Sequence, residues 1–403
     1  MTYRILSLDG GGSWALIEVR ALIALYGKDT LGRQVLADFD LVTANSGGGI
    51  VLGGLLEDLA LGDIASYFQD EKKRKSVFSP TGSWGNWILR NIAGIGPKYN
   101  AVAKLSALRR LMPKCGDIPL SEVASGVRRG GAADDLHLLI VGFDYDRNRA
   151  KFFRSTQAGS TAPGAKSAWG QGDATTVTLA DAIHASSNAP VNYFDGPAIF
   201  PNQAGRYWDG GLTGCNNPVL VGVTEAVVLG QKPTDIVALS LGTASIALPW
   251  PKPGDAPSPY LQTPSDNGVV ADLRKLATAI LDDPPDAATF LAHVMTGSGA
   301  GLPAPAKSRI VRMNPLVSPV PDATGSWIAP GGMTMAQFKY LANLDMDAVD
   351  QQQVDAIAGY AELWIQDKAP NQPIRMNSDT LKTELGDDRF SGARASWNAI
   401  KNS

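Results

Sequence analysis

Two glycine-rich segments constrain this chain more than anything else in it: Asp9-Gly10-Gly11-Gly12 and Asn45-Ser46-Gly47-Gly48. Each follows an apolar, strand-like run (Tyr3 to Leu8, then Phe39 to Ala44) and each opens a helix-like run. Glycines at a strand-to-helix junction allow a sharp turn and close backbone approach, and they gather the N–H groups of a helix start in one place.

The pattern continues with strand-like runs at Leu136–Phe143, Ile236–Leu241 and Arg309–Met313. Leu16 to Leu25 and Gly47 to Ala60 read as the first two helices. Buried strands alternating with amphipathic helices predict an α/β chain whose mostly parallel central sheet is covered on both faces. Val354, Ile357, Ala361 and Trp364 fall on one helical face as ordinary core positions. The proline-rich stretch 250–260 reads as a surface excursion, because strand and helix patterns resume beyond it. One domain over 1–368 and a tail over 369–403 lying on it are expected.

At 403 residues, 44% apolar and 19% charged, the chain is globular with ample length for a core. A formal charge of −3 gives no global reason to expect a nucleic-acid partner. Cys115 and Cys215 make neither a disulfide framework nor a metal knuckle, which fits a reducing compartment. No leader pattern opens the sequence, and the most apolar stretch, Ile50 to Leu61, is short and broken by Glu57 and Asp58. A cytoplasmic location is therefore expected, with export by a specialised route left open.

Ser46 sits between small residues at a sharp turn, the setting of a nucleophile elbow, although Ala44 stands at the first glycine position of G-x-S-x-G. The alternative is an incidental serine in a glycine-rich helix start. Asp9 to Ala15 also satisfies G-x-G-x-x-A after a strand, a dinucleotide fingerprint. That reading needs an acid closing a second strand about twenty positions on. The chain instead runs through a turn, Gly27 to Gly32, and a strand directly into Ser46. Asp9 would also stand unfavourably close to a pyrophosphate.

A serine needs a base, and the three histidines, His137, His184 and His293, are poorly placed for one. His137 and His184 lie inside strand-like and helix-like runs. Asp209, in Tyr207-Trp208-Asp209-Gly210-Gly211, is the better candidate, although Asp-Gly is also a common turn dipeptide.

The three motifs, in this order and rough spacing, resemble the patatin-like lipid acyl hydrolases. Further similar blocks are Ala185-Ser186-Ser187-Asn188-Ala189-Pro190 with Tyr193-Phe194, Leu239 to Thr243, Arg309 to Pro315, and Asn343 to Asp347. The likeness spans roughly residues 3–370. It implies a three-layer α/β/α fold with a Ser–Asp dyad and no cofactor or metal. Ser46 would be the nucleophile and Asp209 its base, with the N–H groups of Gly10, Gly11 and Gly12 as the oxyanion hole and that of Gly47 contributing. Two positions depart from the family pattern: Trp14 stands where arginine is usual and Ala15 where glycine is usual. Losing that arginine removes a positive charge near the hole.

Between the second helix and Tyr99, Lys72-Lys73-Arg74-Lys75 precedes Phe78, Trp84 and Trp87. Basic residues beside aromatics suit contact with an anionic lipid surface. The segment 70–98, rich in glycine and proline, reads as a cover over the site, with Phe78, Trp84 and Trp87 as substrate or membrane contacts. A solvated turn over buried aromatics is the alternative.

The reading as a whole is a hydrolase of lipid carboxylic esters, of phospholipase A, lysophospholipase or esterase type, with peripheral membrane contact. Its rivals are a catalytically silent lipid- or partner-binding relative and a dinucleotide-dependent oxidoreductase.

Overall fold

Side chains alternate along β1 (Tyr3–Leu8): Leu6 and Leu8 enter one hydrophobic core, Tyr3 and Ile5 the other. β3 (His137–Asp144) repeats this with Leu138 and Ile140 against Leu139 and Val141. So does β7 (Ile236–Leu241), with Leu239 and Leu241 against Ile236 and Ala238. Strands buried on both faces require a helical layer on each side, and the fold is the three-layer α/β/α arrangement expected from sequence. The computed structural model describes residues 2–77, 98–132, 134–156, 174–190, 193–200, 205–264, 268, 286–298 and 308–401.

The main sheet runs β5 (Ala198–Ile199), β6 (Arg206–Asp209), β3, β2 (Leu41–Ala44), β1, β7, then β9 (Ile310–Met313); β4 (Arg149–Arg154) is a further partner of β3. β8 (Ser245–Ile246) lies apart and pairs with Leu316–Val317. β3, β2, β1, β7 and β9 are all parallel. β4 and β6 run antiparallel to β3, β5 pairs antiparallel with β6, and neither β4 nor β6 is foreseen from sequence. A tight turn with Asn148 at φ 52° joins β3 to β4, and so short a connection can only reverse the chain.

One face carries α1 (Leu16–Tyr26), with α2 (Gly32–Leu36) leading into β2, and α3 (Ser46–Leu56). The helix Gln351–Ile365 adds to this layer through Val354, Ile357, Ala361 and Trp364, all buried as their spacing predicts. The helix Val219–Val228 covers the other face. After Lys368, Arg375–Met376 pairs with Thr383–Leu385, and the helix Phe390–Lys401 inserts Trp397 flat against Phe39, ring centroids 5.8 Å apart. No helix among the described residues is long and apolar enough to cross a membrane.

Candidate active site

The sheet itself brings Ser46 and Asp209 together. β2 accompanies β3 only as far as Ala44, opposite Ile140, while β4 covers the opposite edge of β3 from Leu139 to Asp144. β6 therefore occupies the edge that β2 leaves, setting Asp209 opposite Gly142. Ser46 turns out of β2 at this point and Asp209 ends β6 at the same point. The two side chains line the same cavity, with Ser46 among the neighbours that favour the charged form of the Asp209 carboxylate. Both residues are largely buried.

Ser46 opens α3 with φ 47°, a left-handed conformation that a side-chain-bearing residue adopts only when its surroundings compel it. Its N–H donates to Ser186 Oγ at 2.8 Å, and Ser186 Oγ in turn donates to Asn45 Oδ1 at 3.3 Å. Two residues further on, the Asn188 carbonyl accepts the Asp209 N–H at 3.0 Å. The Ala185–Pro190 block thus holds both partners. Asp209 Oδ1 accepts the Gly211 N–H at 2.8 Å. Burial raises the Asp209 carboxyl above its usual range, against the pull of the Gly211 N–H, the nearby polar side chains of Ser46 and Asn45, and the charge of Lys104. A carboxylate more basic than usual is what proton removal from a hydroxyl requires.

The glycine loop lies directly against this pair. A Cβ on Gly47 would stand 2.7 Å from the Gly12 carbonyl oxygen, and one on Gly48 would stand 2.6 Å from that of Leu8. Only bare backbone lets α3 approach β1 this closely. One expectation for the oxyanion hole is corrected here. The Gly10 N–H donates to the Asn216 carbonyl at 2.9 Å, while the Gly10 carbonyl accepts Thr243 Oγ1 at 2.6 Å. Gly10 is therefore a fastening point, and its N–H is not free to meet an anion. The N–H groups of Gly11, Gly12 and Gly47 have no hydrogen-bond partner among the described residues.

Beneath the loop lies a buried polar group that the sequence reading does not identify. Arg312 donates to Asp9 Oδ2 at 2.6 Å and to Ser240 Oγ at 2.9 Å, and the Asp9 N–H donates to Glu18 Oε1 at 2.6 Å. Burial pushes the Asp9 carboxyl up to about 6 despite Arg312, and it holds Glu18 well above the carboxylate range. Trp14, at the position where arginine is usual, is buried and donates from Nε1 to the Asp345 carbonyl at 3.2 Å.

A cavity of about 320 Å³ opens on Ser46 and Asp209, walled largely by Trp14, Tyr193, Leu212, Ile246, Leu344 and Met346. A smaller cavity also reaches the pair and is bounded by Lys104, Ser187 and Gly47. Lys104 is buried, and nothing in its sequence setting marks it.

His184 is buried in the helix Leu179–Ser186, and burial together with Lys104 and Arg109 keeps its ring well below its usual range. His293 is buried against Ser308. No described histidine bonds Ser46. β2 ends on Ala44 and runs straight into the elbow, which leaves no acid there for a ribose. Among the described residues, no group of three or more His, Cys, Asp or Glu could hold a metal ion.

Phe78, Trp84 and Trp87 lie outside the described residues. The basic run forms most of the helix Glu71–Val77, which turns Arg74 inward. Its guanidinium donates to the carbonyls of Phe68, Gln69 and Val349, so Arg74 is not a surface cation.

The family profile of patatin-like phospholipases matches residues 6–223, just over half of the chain. A cGAMP-activated phospholipase of Pseudomonas aeruginosa (strain BWHPSA011 / Pa011) is 26% identical over 253 residues, which is 61% of this chain and 63% of the relative. The chain thus spans less than two thirds of the length of that curated relative. The crystal structure of VipD from Legionella pneumophila aligns with 90% of this chain and 67% of its own at 10% identity, with a TM-score of 0.33, too loose a superposition to bear on the site. On the family match, this chain belongs to the patatin-like phospholipases.

Proposed function

We propose that this protein hydrolyses carboxylic ester bonds of lipids, in the manner of a phospholipase A, lysophospholipase or esterase, through a Ser46–Asp209 dyad. The observation that carries the reading is a buried aspartate, Asp209, lining one cavity with a serine, Ser46, that is held at φ 47°. Asp209 takes the Ser46 proton as Oγ attacks the ester carbonyl. The N–H groups of Gly11, Gly12 and Gly47 receive the oxyanion, and the departing alcohol takes the proton back from Asp209. Water, activated by the same carboxylate, then releases the acyl group. The largely apolar walls of the 320 Å³ cavity suit an acyl chain.

The test is covalent labelling by a fluorophosphonate probe together with hydrolysis of a phospholipid and of a short-chain 4-nitrophenyl ester. Both assays are run with and without cGAMP, since the Pseudomonas relative is described as activated by it. Labelling that disappears in Ser46→Ala, accompanied by ester turnover, supports the proposal. Absence of labelling and of turnover in every condition would favour the catalytically silent relative.

A further inference from the structure

Lys104 lies in the helix Ala101–Leu111, on the same face as Ala101, Ala107 and Leu108, and it is buried with them. A lysine on the core-facing stripe of a helix is costly unless its ammonium is held. Here Nζ donates to the His184 carbonyl at 3.1 Å and to Ser187 Oγ at 3.2 Å, and it stands 4.2 Å from the centroid of the Phe194 ring. Ser187 Oγ donates its own hydrogen bond to the Ile183 carbonyl at 2.6 Å, so its lone pairs are left for the lysine. Among the described residues, no carboxylate forms an ion pair with Lys104. Its charge acts instead on Asp209 through the small cavity that both line with Ser46.

The other charged groups around this helix are engaged elsewhere. On the Leu179–Ser186 helix, Asp181 pairs with Arg109, and the ring of His184 is neutral. Arg74, from the helix Glu71–Val77, bonds backbone carbonyls. Asp347 is held by Tyr99 and Lys98, and Asp195 caps the start of the Ala101–Leu111 helix.

We propose that Lys104 is a positioning residue of the dyad: its ammonium, held by His184, Ser187 and Phe194 at the small cavity that Ser46 and Asp209 also line, keeps the Asp209 carboxylate ionised and so ready to take the serine proton. This rests on the dyad reading above. The role is one that no histidine fills in this chain, since a buried aspartate alone drifts towards its neutral acid and then cannot take a proton. Burial lowers the Lys104 ammonium well below its usual range while Asp209 draws it back, so each charge supports the other.

The experiment is the pH profile of kcat/KM for a soluble 4-nitrophenyl ester, with the rate of fluorophosphonate labelling followed over the same range, in wild type, Lys104→Met and Lys104→Arg. An opposite charge nearby lowers a carboxyl by about one to three pH units. In Lys104→Met the acid limb of both profiles should therefore move up by at least about one pH unit, a loss of about tenfold on the acid side of the wild-type limb that shrinks towards pH 9. Lys104→Arg should return the limb most of the way. If Lys104→Met does not fold, Lys104→Gln, which keeps donors for the His184 carbonyl, replaces it with the same expectation. A folded neutral variant whose acid limb coincides with wild type, or one that loses rate equally at every pH, overturns the proposal. Ser46→Ala and Asp209→Asn are run alongside: if these retain activity the dyad reading falls, whereas if they are inactive and the limb does not move, only the role of Lys104 falls.

Discussion

The hydroxyl of Ser186 accepts the backbone N–H of Ser46 at 2.8 Å, so the strained turn of the elbow is pinned by a side chain from a different helix. Ser186→Ala leaves that N–H buried without an acceptor and should cost about 1–3 kcal/mol of stability. Because the elbow geometry relaxes, kcat should fall by about tenfold or more, with KM changed less. Thermal unfolding and steady-state kinetics on the same preparation check both parts.

Ser46→Ala, Asp209→Ala and the double variant should all reduce ester hydrolysis to a similar residual level, because residues acting as a unit are non-additive. Measured losses that multiply in the double variant would show the two side chains acting independently.

Gly10→Ala should abolish turnover even though the Gly10 N–H, bonded to the Asn216 carbonyl, is not among the donors of the proposed oxyanion hole. Its Cβ would stand 2.1 Å from Asn216 Oδ1, 2.5 Å from Asn45 Nδ2 and 3.1 Å from the Ser46 Cβ. Gly130→Ala, where nothing lies within 4 Å, should match wild type in activity and in Tm.

Trp14 walls the cavity beside Ser46. Truncation to alanine should destabilise the fold by about 3–5 kcal/mol, the usual cost for a buried tryptophan. The enlarged cavity should move the preferred acyl chain to greater length, raising kcat/KM for long-chain relative to short-chain 4-nitrophenyl esters by roughly tenfold. A chain-length profile parallel to wild type would show that Trp14 does not shape the acyl site.

Burial raises the Asp209 carboxyl, so the folded state holds this proton more tightly than the unfolded chain. The associated stability is present below the unfolded value of 3.8 and is lost as pH rises through the folded value. Asp209→Asn, which cannot ionise, should therefore unfold at a higher temperature than wild type near pH 8, by about 2 °C per kcal/mol relieved. The difference should vanish towards pH 4. Thermal melts across this range check the sign, and an inactive variant more stable than its parent at high pH is the expected outcome.

Much of this protein follows from local pattern. The apolar strand runs at Tyr3–Leu8 and Ile236–Leu241, the helical spacing of Val354 to Trp364, and glycines where backbones must touch are all properties of short stretches, and they were legible as such. Ser46 and Asp209 stood out because a turn that crowded tolerates few residue types. What sequence could not supply was decided by contacts between distant segments. β6 takes the edge of β3 that β2 vacates, and this sets the aspartate beside the serine. Asn216 claims the Gly10 N–H and so leaves the proposed oxyanion hole to other donors. Arg312 reaches under the glycine loop to Asp9. Arg74, which belongs to a basic run in sequence, is buried, and so is Lys104, which nothing in sequence marks, because the face a helix turns inward depends on what packs against it. A one-dimensional pattern records the propensity of a residue, whereas its charge state and its partners exist only once the layers have closed around it.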